Sequence, residues 1–109
     1  MQIRSAATEE SLGKRYEGTR CYGKVSVTVD GRHLDPRLEL KSLCSDGFEW
    51  GYGGSGPAQL ALALLVDHLK DSRKALALYQ PFKWRVIASL PHNGWVLTEE
   101  QIRRALRSL

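Results

Sequence analysis

The chain has 109 residues, 42% hydrophobic and 26% charged, the balance of one soluble globular domain able to bury a single core. Its longest apolar run, Leu60 to Val66, is too short to cross a bilayer, and no signal-type hydrophobic segment follows Met1, so a cytoplasmic protein is expected. The net charge of +4 is modest but unevenly placed, with basic residues concentrated before residue 25 and between 70 and 85.

Residues 1–13 carry no apolar periodicity and are expected to form a mobile tail, leaving 14–109 as a single domain. Val25, Val27 and Val29 then alternate with Ser26 and Thr28, a period of two in β-branched residues. Tyr22-Gly23 and Asp30-Gly31 punctuate that stretch, and Asp-Gly favours the type I′ turn that matches strand twist. A meander of three strands near 15–22, 24–29 and 32–34 follows from these signals. Leu38-Glu39-Leu40 alternates briefly after the Asp35-Pro36 turn, which predicts a short strand. Phe48, Trp50 and Tyr52 also alternate, which predicts another strand with the three aromatics on one face and Glu49 toward solvent.

At Pro57 the period changes to 3.6. Ala58, Ala61, Leu62, Leu65 and Leu69 share one helical face, flanked by Leu60 and Leu64, while Gln59, Ala63, Asp67 and Lys70 supply the one polar stripe available. A helix this apolar, running to about Lys70, belongs at the centre of the core. Asp71-Ser72 can cap a second helix that turns Ala75, Tyr79, Phe82 and Val86 inward, with a kink or break expected at Gln80 because Pro81 interrupts the pattern. Trp95-Val96-Leu97 reads as an edge strand, and Thr98-Glu99-Glu100-Gln101 fits a capping box opening a last helix over 99–108. Strands first and helices after predict an α+β domain: a small antiparallel sheet of three to five strands, from the N-terminal half, packed against a central apolar helix and two further C-terminal helices.

Gly51, Gly53 and Gly56 spell G-x-G-x-x-G ahead of that central helix. A dinucleotide fold needs a second parallel strand leading to an acidic residue about 20 positions on, whereas that region, Ser72 to Leu78, reads as a helix start with no strand; a P-loop needs Lys-Ser or Lys-Thr after the glycines, and none follows. The segment therefore reads first as a turn, at least one glycine taking φ > 0, with Ser55 expected to cap the helix. Gly53, Gly54, Ser55 and Gly56 remain an anion-contact candidate, since a helix start offers free amides. Asp67 and His68, adjacent on a helix, point to different sides and do not form a dyad. Cys21 and Cys44 form no C-x-x-C pair and have no chelating spacing with His33, His68 or His92, so they read as small buried or half-buried thiols, and neither a metal nor a cofactor is expected. No complete catalytic constellation is legible. Three tryptophans and four tyrosines are many for this length; most fill a core, but Tyr52 or Trp84 beside Lys83 and Arg85 would make a binding hot spot if exposed. The candidate partner-binding set is Lys70, Arg73, Lys74, Lys83, Trp84, Arg85 and Tyr52.

Through "GFEWGYGGSGPAQLALALLVDHL", "FKW" at 82–84 and "WVLTEEQI" at 95–102, the chain resembles a small uncharacterised domain family of bacteria, phages and integrative mobile elements, over about residues 15–102. The resemblance carries no catalytic residue, cofactor or substrate. It implies a short accessory protein that binds a macromolecule, a protein or nucleoprotein complex, with inhibition of a bacterial defence system as the most concrete form. Direct nucleic-acid binding through the basic residues is the alternative, and a small-molecule or nucleotide site at Gly51–Gly56 the third reading.

Overall fold

The computed structural model describes residues 13–109; the expected tail, apart from Gly13, lies outside the described residues. Strands β1 (Arg15–Cys21) and β2 (Lys24–Val29) form an antiparallel hairpin in the register Tyr16 with Val29 and Cys21 with Lys24. Both turns flanking β2 have the paired left-handed residues of type I′: Tyr22 and Gly23 at φ 51° and 79°, Asp30 and Gly31 at 50° and 85°. The second turn leads into β3 (Arg32–His33), two residues long. A strand from the far end of the chain, β4 (Gly94–Thr98), pairs antiparallel with β1, giving the order β3-β2-β1-β4. Trp95-Val96-Leu97 thus lies at an edge, as its sequence predicts.

Alternation decides which face is buried. Tyr16, Val27, Val29, Trp95 and Leu97 point inward, while Glu17, Thr19 and Val96 face out. Helix α1 (Ser55–Leu69) is buried from Gly56 through Val66, the central position its composition demands. Helix α2 (Ser72–Arg85) sets Ala75, Tyr79 and Phe82 into the core, and Asp71 caps it by accepting from the Lys74 amide. A short 3₁₀ turn, Ile87–Ser89, precedes β4. In α3 (Glu99–Arg107) the capping box is complete: Gln101 N–H donates to Thr98 Oγ1, and Thr98 N–H to Gln101 Oε1. Ile102 is buried, Ala105 and Leu106 are half-buried against the core, and Arg103, Arg104 and Arg107 lie outside.

Four local expectations need correction. Leu38–Leu40 is a turn, not a strand: the Asp35 carboxylate accepts from Arg37 N–H, Arg37 adopts φ 61°, and the Leu40 and Lys41 amides close back onto its carbonyl. Phe48–Tyr52 is no strand either. Gly51 at φ 91° reverses the alternation, so Trp50 is buried while Tyr52 is thrown outward, and the Gly51 amide bonds to the Ile87 carbonyl instead of a ladder. Of the kink or break expected at Gln80, the break does not occur: helix α2 continues through Pro81 to Arg85. Proline deprives one carbonyl of its donor, that of exposed Ala77, which water can serve, while buried Tyr79 and Phe82 hold the turn. Gln59 lies in no polar stripe. Fully buried, it accepts from the Leu43 and Cys44 amides at 2.7 and 3.0 Å and donates to the Pro36 and Lys41 carbonyls at 2.7 and 3.0 Å, replacing for that irregular segment the bonds a sheet would supply.

Candidate functional site

The turn at Gly51–Gly54 carries two exposed aromatics. Trp84 is 61% exposed and Tyr52 52%, although both are large enough to favour burial. Each is seated on a neighbouring glycine: a Cβ on Gly53 would lie 2.1 Å from the Trp84 ring, and one on Gly54 would lie 2.5 Å from that of Tyr52. Lys83 fixes the arrangement from below. Its side chain is almost wholly buried, its ammonium donates to the Gly53 carbonyl at 3.3 Å, and it stands 4.4 Å from the Trp84 ring centroid. Loop, lysine and ring therefore hold one another. The result is a preorganised aromatic shelf.

Beside it opens a cleft of about 620 Å³, lined by Lys24, Val25, Cys44, Phe48, Tyr52 and Ser55 among others. Fully exposed Tyr22 sits on the hairpin turn whose Gly23 also lines this cleft. The turn's inner side is anchored by Glu49, which takes both terminal nitrogens of Arg20 at 3.0 and 2.8 Å. Arg20 Nε and Trp50 Nε1 both donate to the His92 carbonyl, the Arg20 guanidinium lies 4.8 Å from the Trp50 centroid, and Trp50 meets Trp95 edge-on at 5.5 Å. The hydrogen-bonded guanidinium outweighs burial and holds the Glu49 carboxyl below its ordinary value.

The basic candidates do not form one face. Lys83, Trp84, Arg85 and Tyr52 belong to the shelf end, where Arg85 donates to the Ser108 hydroxyl. Arg73 and Lys74 are exposed on the first turn of α2, about 16–18 Å along the helix from Arg85 at 1.5 Å per residue. Lys70, the left-handed C-cap of α1, stands with them at the α1–α2 junction. Of the anion candidates, Ser55 is the first helical residue and not the cap: Gly54 occupies that position, and its carbonyl accepts from the Ala58 amide. Gly56 is buried against the Glu49 side chain, which brings a carboxylate-bearing residue to the very turn an anion would approach. Cys21 is exposed, not half-buried, because it ends the outward-facing row of β1; Cys44 is half-buried. Among the described residues no group of three potential metal ligands stands together.

One cluster was not legible in the sequence. Asp67 accepts from the Tyr16 hydroxyl at 2.7 Å and from Lys14 Nζ at 3.0 Å, while His68 Nδ1 lies 2.9 Å from Glu99 Oε2, whose partner oxygen accepts from the Lys14 amide. Burial works to raise Asp67 and Glu99, but the donors around them win and hold both carboxyls low. Burial and the Asp67 carboxylate together push the Tyr16 phenol well up. Asp67 and His68 do point apart, each to its own partner, so this network clamps β1, α1 and α3 together. A signal existed in the Asp-His pair at the end of an apolar helix, but its partners lie in other elements.

A four-stranded antiparallel sheet carrying a buried central helix and an aromatic-bearing glycine turn defines a small α+β domain. Residues 16–108 match the model of a family of unknown function, DUF6166, and the chain belongs to that family. No curated protein and no solved structure matches it.

Proposed function

We propose that the protein is a non-enzymatic binding module that docks onto a protein surface through the shelf of Tyr52 and Trp84. What carries the reading is that two large aromatics are kept out of the core and packed against glycines of the turn: half-exposed tryptophan and tyrosine held in this way offer contact area at little entropic cost, the profile of interface hot spots. Tyr22 and the adjoining cleft extend the contact. In the setting that the resemblance implies, it is a cytoplasmic accessory protein of a phage or mobile element, and its partner a component of a bacterial defence complex.

The test is capture from bacterial lysate with identification by mass spectrometry, using the wild-type chain, a Tyr52→Ser/Trp84→Ser double variant and a Leu76→Ser control at another exposed apolar position. A protein retained by wild type and control but lost from the double variant supports the reading. Equal capture by the double variant refutes the shelf. Capture of nucleic acid alone, falling steeply with salt, favours the phosphate-contact alternative. Failure to capture anything, with stabilisation by nucleotide or another small ligand, favours the third.

A further inference from the structure

The outer edge of β4 presents unused backbone bonding groups beside a positively charged helix. In an antiparallel pair, successive residues direct their N–H and C=O alternately toward and away from the partner strand. The phase on β4 is set twice. Glu99 N–H donates to the Lys14 carbonyl on the β1 side, and Thr98 N–H turns the other way to the Gln101 side chain. Leu97 and Trp95 therefore bond to β1, opposite Tyr16 and Gly18, while Val96 and Gly94 direct their backbone groups outward. Among the described residues no strand lies beyond β4. The opposite margin is blunted, because β3 is two residues long and carries exposed Arg32 and His33. The β4 edge has no lysine, proline or bulge to deter pairing.

The groove at this edge has a definite chemistry. It measures about 450 Å³ and is lined by Val96, Thr98, Glu100, Gln101 and Arg104. Val96 is an exposed apolar residue at its floor. On α3, Arg103, Arg104 and Arg107 all converge on the single carboxylate of Glu100, at 3.6 Å for Arg104 and 3.8 Å for Arg107. Three guanidiniums on one carboxylate leave two positive charges over, and all three side chains are more than half exposed. Guanidinium is the side-chain group best suited to bind carboxylates in pairs of bonds.

We infer that the β4 edge accepts an extended acidic peptide segment, which adds a fifth strand beside Val96 and sets alternate carboxylates against Arg104 and its neighbours. Main-chain bonds to Val96 and Gly94 supply attachment, and the arginine surplus supplies selection, the division of labour usual in strand addition. Self-pairing by a second copy would instead gather two positive surpluses at one seam. This surface shares no residue with the aromatic shelf and stands or falls separately.

The experiment uses the full chain, ¹⁵N-labelled, with an eight-residue peptide alternating glutamate with threonine and its lysine counterpart as probes. The Val96 amide exchanges rapidly in the free protein while Leu97 is protected. The glutamate peptide shifts and protects Val96 and Gly94, and it binds at least tenfold more tightly than the lysine peptide. Val96→Pro keeps the β1–β4 ladder, since that N–H faces outward, yet loses the peptide. Arg104→Glu/Arg107→Glu, at exposed positions, reverses the preference between the two peptides while hydrogen exchange shows Leu97 still protected. A Val96 amide already protected in the free chain, by its own residues 1–12 or by a dimer seen in sedimentation, overturns the inference. So does glutamate-peptide binding that spares Val96, or charge reversal without effect.

Discussion

Replacing Gly53 by alanine tests whether the exposed tryptophan is held by the loop or merely lies near it. Gly53 is outside the left-handed region, so alanine suits its backbone and by itself stabilises by about 0.4–1 kcal/mol through the unfolded chain. The obstacle is the Trp84 ring, 2.1 Å from the added carbon at its nearest atom. Carbon contacts settle near 3.5–4 Å, so the ring must withdraw by roughly 1.5 Å or swing off the loop. With 61% of Trp84 exposed, about two-fifths of its surface is covered. For an aromatic that buries roughly 150–250 Å² in full, that fraction corresponds to about 1.5–2.5 kcal/mol at 25 cal/mol per Å². The difference is a net loss of about 1 kcal/mol, or a fall in Tm of about 5 °C for a domain this size. Urea unfolding gives the energy, and acrylamide quenching of tryptophan fluorescence, with Trp84→Phe as reference, reports the ring. Trp50 and Trp95 are buried, so the quenchable signal belongs to Trp84 and rises in the variant. A Gly53→Ala protein with wild-type midpoint and quenching refutes the seating. A loss above about 4 kcal/mol refutes it too, because the loop rather than one surface ring has then collapsed.

Gly51→Ala is the counterpart. At φ 91° a Cβ meets only the Leu90 carbonyl, at 3.5 Å, so the cost is strain of about 1–2 kcal/mol in a urea melt, with quenching of Trp84 and capture of the partner unchanged. Gln59→Leu strands two amides and two carbonyls in a half-buried segment and lowers stability by about 2–4 kcal/mol, with hydrogen exchange accelerated at Leu43 and Cys44; protection equal to wild type there speaks against the bracing role. Glu49, Glu99 and Asp67 each titrate lower in the folded chain than in the unfolded one, so the unfolded chain binds protons first as pH falls. Their stabilisation is complete above the ordinary values of 4.5 and 3.8 and is lost below them: Tm stays level from pH 6 to 5 and drops below about 4.5, less steeply in Glu49→Gln, whereas a Tm unchanged down to pH 3 contradicts the assignment.

Local chemistry made much of the fold legible. Asp30-Gly31 adopts the turn its residues favour, Tyr22-Gly23 turns where its glycine signals a turn although tyrosine itself resists φ 51°, and the capping box at Thr98 closes as written, because in each case the partners lie within three residues. The errors came where a local pattern had a non-local owner. Phe48, Trp50 and Tyr52 keep strand period, but a strand needs a neighbour to bond with, and here the Gly51 amide finds Ile87 instead. Gln59 is polar and so reads as solvent-facing, yet its four partners wait in a loop 15 to 23 residues earlier. Binary patterning cannot distinguish a glutamine that meets water from one that substitutes for a missing sheet.

The candidate site was legible as residues and not as an arrangement. Tyr52, Lys83 and Trp84 stand out by type, but the contact that unites them runs from Lys83 to a carbonyl 30 residues back, and from Trp84 to a glycine whose side has to be bare. Helical rise, which composition ignores, carries Arg73 and Lys74 away from that end, so counting charges along 70–85 overstates any single basic face. The glycine turn thus does more than hinge the chain into α1. Gly51 supplies the reversal, and Gly53 and Gly54 supply flat ground on which two rings rest exposed. The fold and the proposed docking surface consequently share one segment, and substitutions there separate by mechanism: those at Gly51 strain the backbone and leave the rings in place, those at Gly53 displace the Trp84 ring.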